Sequence, residues 1–219
     1  MKDDQEQKEI KMIEQCIDLH DRNVLEIGCG EGRISALLAP NARTYVAIDP
    51  DPQRIRKASS AMPHVDFRIG TGEALEFEDA SVHVVLFTLS LHHQKSRLAL
   101  QEAHRVLIEN GQLVILEPAI DGELQQFFHL FDDETDRLMK ALNVIKSSDF
   151  EIEHQETFHT VMEFDNQDEL CSYPFDRDHI RSEDRERIVQ MLQQLQGPTT
   201  DAPPIRLHDK IHIFSLRKT

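Results

Sequence analysis

The chain has 219 residues, 39% of them hydrophobic, which suits one domain with a real core and excludes a chain disordered by composition. Its formal charge of −16 sets it against nucleic-acid phosphates and anionic lipid, so neither is expected as a partner. No apolar run approaches the roughly 20 residues of a membrane span. The charged start M-K-D-D-Q-E-Q-K lacks a signal-peptide core, and Cys16, Cys29 and Cys171 have neither disulfide-framework nor metal-site spacing. A reducing cytoplasm and no metal are the expectations.

Residues 5–19 read as a helix, with Ile10, Ile13 and Ile17 on one stripe. D-R-N then turns the chain into a short strand, V-L-E-I (24–27). Glycines follow at 28, 30 and 32, and R-I-S-A-L-L-A starts a helix that Pro40 and Asn41 stop. T-Y-V-A-I-D (44–49) is a second strand, 51–61 a helix, and V-D-F-R-I (65–69) a third strand. V-H-V-V-L-F (82–87) is apolar enough for burial on both faces. Residues 96–108 are helical through Leu98, Ala99, Glu102, Arg105 and Val106, and Q-L-V-I-L (112–116) is a fifth strand.

Strands alternating with helices predict an α/β fold with a doubly wound parallel sheet. In such sheets ligands bind beyond the carboxyl ends of the strands. Residues 28–32, 49, 71–73, 88–93 and 117 all fall there. After residue 119 the pattern loosens. Residues 131–146 look helical and 150–158 strand-like. A helix over 182–196 carries Ile188, Leu192 and Leu195 in register and ends at Gly197-Pro198, and 206–216 is a last strand. Residues 120–165 hold twelve acids against Arg137, Lys140 and Lys146, a net of −9. A solvated helix surface accounts for this excess, and attraction of a cationic substrate is the sharper alternative.

The stretch V-L-E-I-G-C-G-E-G-R-I-S (24–35) poses the functional question. A dinucleotide fingerprint, G-x-G-x-x-G, needs its third glycine where Arg33 stands, which disfavours a nicotinamide oxidoreductase. No G-x-x-x-x-G-K-[S/T] cradle is present either. The loop permits close backbone approach without a pyrophosphate signature.

E-x-G-x-G-x-G after a first strand resembles the motif of the class I S-adenosylmethionine-dependent methyltransferases. A-I-D-P (47–50), G-T-G-E-A-L-E-F-E-D-A-S-V-H-V-V-L (70–86), L-S-L-H-H (89–93) and E-A-H-R-V-L-I-E-N-G-Q-L-V-I-L-E-P (102–118) follow in the family's order. The set is most similar to the type 11 group, which includes quinone and small-molecule methyltransferases. The resemblance covers roughly residues 20–120. Three positions depart from the pattern: Thr71 replaces a common acid, His83 a common Asp, and E-N-G (109–111) the usual P-G-G turn.

The resemblance implies a mostly parallel, seven-stranded Rossmann-like sheet with a helical lid. Residues 1–219 would form one methyltransferase domain, with a cofactor-binding half over 20–120 and the lid and substrate-side half over 121–219. The implied cofactor is S-adenosyl-L-methionine. Asp49 would hold its ribose hydroxyls, although an acid at a strand end also caps helices. Pro50 would flank the adenine, and Thr71, Gly72 and Glu73 would line it. Glu26 would serve the ammonium end, directly or through water; the alternative is a buried carboxylate bonded to backbone amides. Gly28, Cys29 and Gly30 would offer backbone groups to the methionine moiety, with Cys29 a packing residue rather than a nucleophile. Thr88 would sit beside the sulfonium.

Methyl transfer asks mainly for alignment and exclusion of water. His92 and His93 are the candidate bases, needed only where the acceptor must lose a proton, and Glu117 is a candidate acceptor contact. The expected partner is a small-molecule acceptor with an apolar body, lined by F-F-H-L-F (127–131). A non-catalytic S-adenosylmethionine-binding subunit and a protein or RNA methyltransferase are the alternatives.

Overall fold

A computed structural model describes residues 2–173, 182–197 and 204–219. Its eight strands are β1 (Lys2–Asp3), β2 (Asn23–Ile27), β3 (Thr44–Asp49), β4 (Asp66–Ile69), β5 (Val82–Thr88), β6 (Leu107–Pro118), β7 (Phe150–Phe164) and β8 (Ile205–Lys218). The helices are α1 (Lys8–Cys16), α2 (Ser35–Leu38), α3 (Pro52–Ala61), α4 (Ser96–Val106), α5 (Glu123–His129), α6 (Thr135–Lys146), α7 (Gln167–Ser172) and α8 (Ser182–Gln196). Short 3-10 turns cover Ala39–Asn41 and Leu91–His93. The strand order is β1-β7-β8-β6-β5-β2-β3-β4. β4, β3, β2, β5 and β6 pair in parallel, whereas the two-residue β1 pairs antiparallel with β7, so the sheet is mixed. The α/β expectation holds, with eight strands in place of seven.

The chain divides into two compact units. The larger is Glu9–Glu117, Arg137–Thr157 and His212–Thr219. Its core follows the two-residue period of the strands. Leu25 and Ile27, Val85 and Phe87, Leu113 and Ile115, and Phe214 and Leu216 fall on alternate positions of four strands. They pack with Ala99, Leu100, Ala103 and Val106 of α4 and with Ala141 and Ile145 of α6. Leu98 faces out at 44% exposure, because the buried i, i+3, i+4, i+7 set of α4 runs through Ser96, Ala99, Leu100 and Ala103. Glu26 lies between Leu25 and Ile27 and therefore points to the opposite face.

α1 buries Ile10 and Ile13, with Ile17 closing a last bond to the Ile13 carbonyl. It is shorter than the expected 5–19, since Asp18 accepts the His20 amide at 2.9 Å and turns the chain. The E-N-G segment is a bulge inside β6. Val82 pairs with Leu107 and Val84 with Gln112, and Asn110 takes the left-handed conformation at φ 60° that lets the extra residues loop out. The exposed stretch 151–157 of β7 carries Glu151, Glu153, His154 and Glu156.

The smaller unit is Met1–Lys8, Pro118–Asp136 and Phe158–Ile211. Its own core joins Leu124 and Phe127 of α5, Met162 and Phe164 of β7, Leu170 and Cys171 of α7, and Ile188 and Leu192 of α8. α8 ends as expected at Gly197, whose φ of +84° and bond to the Gln193 carbonyl stop the helix. Pro198 lies outside the described residues. No described helix is long and apolar enough to cross a membrane.

Candidate functional site

The loop after β2 is built by its own amides. Gly28 and Cys29 both donate to the Ile48 carbonyl, at 2.8 and 3.0 Å. Gly30 donates to Asp49 Oδ2 at 2.9 Å, and Gly32 to the Cys29 carbonyl at 2.9 Å. The backbone groups left to Gly28 and Gly30 are thus carbonyls. All three glycines have positive φ, at 79°, 57° and 84°. Their surroundings differ. A Cβ on Gly28 would lie 2.2 Å from Ser90 Cβ, and one on Gly32 would lie 2.5 Å from Met62 Cε and 2.9 Å from Phe67 Cζ. A Cβ on Gly30 would meet just Arg54 Nη1, at 3.9 Å, among the described residues. Gly28 and Gly32 are glycines for packing, while Gly30 borders open space.

Two carboxylates stand at the adjacent ends of β2 and β3. Glu26 is fully buried and accepts three hydroxyls: Thr88 at 2.8 Å on one oxygen, Tyr45 at 3.0 Å and Ser35 on the other. Hydroxyl groups from α2, β3 and β5, rather than backbone amides, satisfy it. Burial pushes its pKa up, against the three hydroxyls and the Arg33 charge. Asp49 is also buried, and its oxygens accept the Gly30 and Asp51 amides, each at 2.9 Å. It does not cap the next helix. Asp51 does, taking the Gln53 and Arg54 amides at the start of α3. Burial and the charges of Glu26 and Asp49 push the Cys29 thiol far above its ordinary range, which disfavours a thiolate.

Across the sheet, Pro50 and Thr71 are exposed beside these carboxylates, and Gly72 is buried. Gly72 donates to Gln94 Oε1 at 2.8 Å. Glu73 spends one oxygen on the Lys95 amide at 2.9 Å. Burial opposes its charge, but that bond, its own amide and the Thr71 hydroxyl together hold its pKa low. Its role is therefore to tie the loop after β4 to the start of α4. Thr88, at the end of β5, gives its hydroxyl proton to Glu26.

His92 and His93 differ sharply. His92 is buried, and its Nδ1 lies 2.7 Å from Glu117 Oε2; the other Glu117 oxygen accepts the Leu91 amide at 2.9 Å. His93 is exposed, its ring 4.0 Å from that of His92. Glu117 itself is fully buried, so in this structure it orients His92. The sequence reading missed Ser90, which lies over Gly28 and donates to the Ile27 carbonyl at 2.6 Å, and Gln94. No local pattern marks either, since their partners lie 63 and 22 residues away. The structure thus brings Glu26, the glycine loop, Asp49, Thr88 and the His92–Glu117 pair to the carboxyl ends of neighbouring parallel strands.

A model of the methyltransferase domain, Methyltransf_11, matches residues 25–115. The chain is 33% identical over 91 residues to an uncharacterised methyltransferase-like protein of Schizosaccharomyces pombe, covering 41% of this chain and 36% of that protein. It is 28% identical over 113 residues to the ubiquinone/menaquinone biosynthesis C-methyltransferase UbiE of Rubrivivax gelatinosus, covering 50% and 45%. These matches span less than half the length of either relative. The fold is similar to that of YcgJ from Bacillus subtilis, with a TM-score of 0.70 at 18% identity over 95% of this chain and 96% of the other.

Proposed function

We propose that this chain is a class I S-adenosylmethionine-dependent methyltransferase that passes the methyl group of S-adenosylmethionine to a small organic acceptor, a reading supported by the match of residues 25–115 to a methyltransferase domain. One observation carries the reading. The loop amides of Gly28, Cys29, Gly30 and Gly32 are all spent within the protein, so these four offer no N–H donors to a pyrophosphate. What the strand ends hold instead are acceptors: the carboxylates of Glu26 and Asp49 and the loop carbonyls. S-adenosylmethionine brings donors to match, an ammonium group and two ribose hydroxyls. The open space at Gly30 gives its chain room for close approach.

In this reading Asp49 takes the ribose hydroxyls, Pro50 and Thr71 border the adenine, and Gly72 closes the floor beneath it. Glu26 supplies negative potential for the ammonium end, and its bond from Thr88 fixes that side chain at the end of β5. When bound, the cofactor supplies a methyl group already activated on a sulfonium. The chain's task is then to align the acceptor and exclude water. His92 has the support a general base requires, since the Glu117 carboxylate, 2.7 Å from its Nδ1, orients the ring. His93, exposed beside it, remains the second candidate.

The acceptor class rests on charge and apolar surface. The net charge of −16 opposes a polyanion. An apolar body of the acceptor rests on the aromatic run 127–131 of the sequence, whose Phe128 and Phe131 are partly buried against the core of the smaller unit. Several acids of the 120–165 stretch already have partners, Asp121 on Lys210, Glu153 on Arg217, and Glu163 on Lys2 and Arg206. This favours the solvated reading of the acidic excess and a neutral acceptor.

The test offers labelled S-adenosylmethionine with amines, phenols, quinols, RNA and DNA at two salt concentrations. Labelling of a small molecule with little salt dependence is expected, because screening at about 0.15 M already limits surface charge to roughly 8 Å. Efficient labelling of RNA or DNA alone refutes the acceptor class.

A further inference from the structure

Gln94 ties the loop after β4 to the turn after β5 through both ends of its amide. Its Oε1 accepts the Gly72 amide at 2.8 Å, and its Nε2 donates to the Ser90 carbonyl at 3.2 Å. The two partners fix the orientation of the amide, because a backbone N–H demands the oxygen and a carbonyl demands the NH2. The fit at Gly72 is close: a Cβ there would lie 2.4 Å from Gln94 Oε1 and 3.1 Å from Ile27 Cγ2. The Ser90 carbonyl also accepts the His93 amide at 3.3 Å, and the Gln94 amide itself closes onto the Leu91 carbonyl at 3.1 Å. Ser90 in turn covers Gly28 and bonds to Ile27.

We propose that Gln94 is a positioning residue that makes the turn carrying His92 and His93 respond to what occupies the loop at Gly72. The inference rests on the cofactor reading of that loop given above. Ordering of Gly72 by an adenosine fixes the acceptor of its N–H, hence the Gln94 amide, hence the Ser90 carbonyl and the His93 amide bonded to it. The Glu73–Lys95 bond is a second tie between the same segments, so loss of Gln94 leaves the fold standing. Neither Gln94 nor Ser90 touches the ligand in this scheme.

Two variants separate the two ends of the strut. Gln94→Glu keeps an oxygen for Gly72 but cannot donate to Ser90. Gln94→Leu loses both bonds. Affinity for S-adenosylhomocysteine is read by calorimetry, and ligand-induced protection of peptides 70–75 and 89–95 by hydrogen exchange. The wild-type chain should gain protection in both peptides. Gln94→Glu should keep its affinity and the protection of 70–75 while losing the ligand-induced protection of 89–95. Gln94→Leu should lose about tenfold in affinity, the measure of one net hydrogen bond at the site, and lose the response of 89–95 as well. Full ligand-induced protection of 89–95 in Gln94→Glu overturns the proposal, and that variant alone decides should Gln94→Leu fail to fold. Failure of the wild-type chain to bind S-adenosylhomocysteine sinks the cofactor reading itself, a result distinct from normal binding with an uncoupled turn.

Discussion

The three loop glycines make separable predictions, and Gly30 is the informative one. Replacing Gly30 by Ala costs the folded protein only its backbone conformation, since the new Cβ meets nothing closer than Arg54 Nη1 at 3.9 Å. An L-residue at φ 57° costs about 1 kcal/mol. In a chain of this length that lowers the melting temperature by about 2–4 °C. The methyl group projects into the space the ligand is expected to fill, and displacement of two charge-assisted hydrogen bonds corresponds to roughly 2–3 kcal/mol, or about 30- to 150-fold in affinity. Gly28→Ala should show the reverse balance. Its Cβ falls 2.2 Å from Ser90 Cβ and 2.6 Å from Ser90 Oγ, so overpacking adds about 1–3 kcal/mol to the conformational cost. Calorimetry with S-adenosylhomocysteine, run beside thermal melts of both variants, reads the two quantities independently. Wild-type affinity in a folded Gly30→Ala variant would show that the loop does not face the ligand and would refute the assignment.

Asp49→Asn should weaken S-adenosylhomocysteine binding by about 1.5–3 kcal/mol through lost charge-assisted bonds. Asp51→Ala should leave that affinity unchanged while costing about 1 kcal/mol of stability as a lost helix cap, and equal affinity losses in both would remove Asp49 from the site. Stability should also fall as pH drops below about 6.5, the ordinary histidine value. Burial and the charges of Arg43 and Arg22 hold His83 below that value, with Asp21 opposing, and its Nδ1 must stay unprotonated to accept the Asn23 amide. The unfolded chain therefore takes up a proton that the native state resists, and the contribution present above 6.5 is lost on acidification. Melting temperatures from pH 7.5 to 5.5 should flatten in part in His83→Asn; an unchanged slope would assign the effect elsewhere, with His104 the next group shifted the same way.

Residues 24–116 were legible because their signals are local and repeated: apolar strands bounded by turn residues, and helices with a 3.6-residue stripe. The smaller unit was less so, although two signals were present in its sequence. Phe158, Thr160, Met162 and Phe164 alternate as buried residues and extend β7 beyond the expected 158 to 164. N-Q-D-E at 166–169 is a capping pattern, in which the Asn166 side chain accepts the Glu169 amide and Glu169 accepts the Asp165 amide, and it starts α7. The helix expected over 131–146 begins at Thr135, because Asp133 accepts the Thr135 amide and breaks the chain away from α5. At the site, residue types at strand ends were readable, but their commitments were not. Whether Glu26 meets amides or hydroxyls, and whether His92 meets a carboxylate, depends on partners that the sequence separates by 9 to 62 positions for Glu26 and 25 for His92.

The departures from the family pattern show how such commitments shift the recognition. His83 in place of an Asp is absorbed by the Asn23 amide, and Asn110 supplies the left-handed residue that the bulge in β6 needs. Thr71 is different, because it removes a negative charge from the rim of the proposed adenine site. Its hydroxyl assists the Glu73 carboxylate, which the Lys95 amide already holds. A polar contact to the adenine amino group must then come from the backbone of 70–72 or be forgone. Surface can compensate: Ile69, 65% exposed, pairs in register with Asp49 at the end of the neighbouring strand, and the exposed Pro50 follows the same acid in the chain. Burying an exposed isoleucine against a flat base is worth about 1.5–3 kcal/mol when complete, comparable to the charged contact that Thr71 lacks. In this chain the proposed adenine site thus reads as apolar walls flanking a ribose anchor, with selectivity for the base carried by shape and the orientation of the cofactor carried by Asp49 and Glu26.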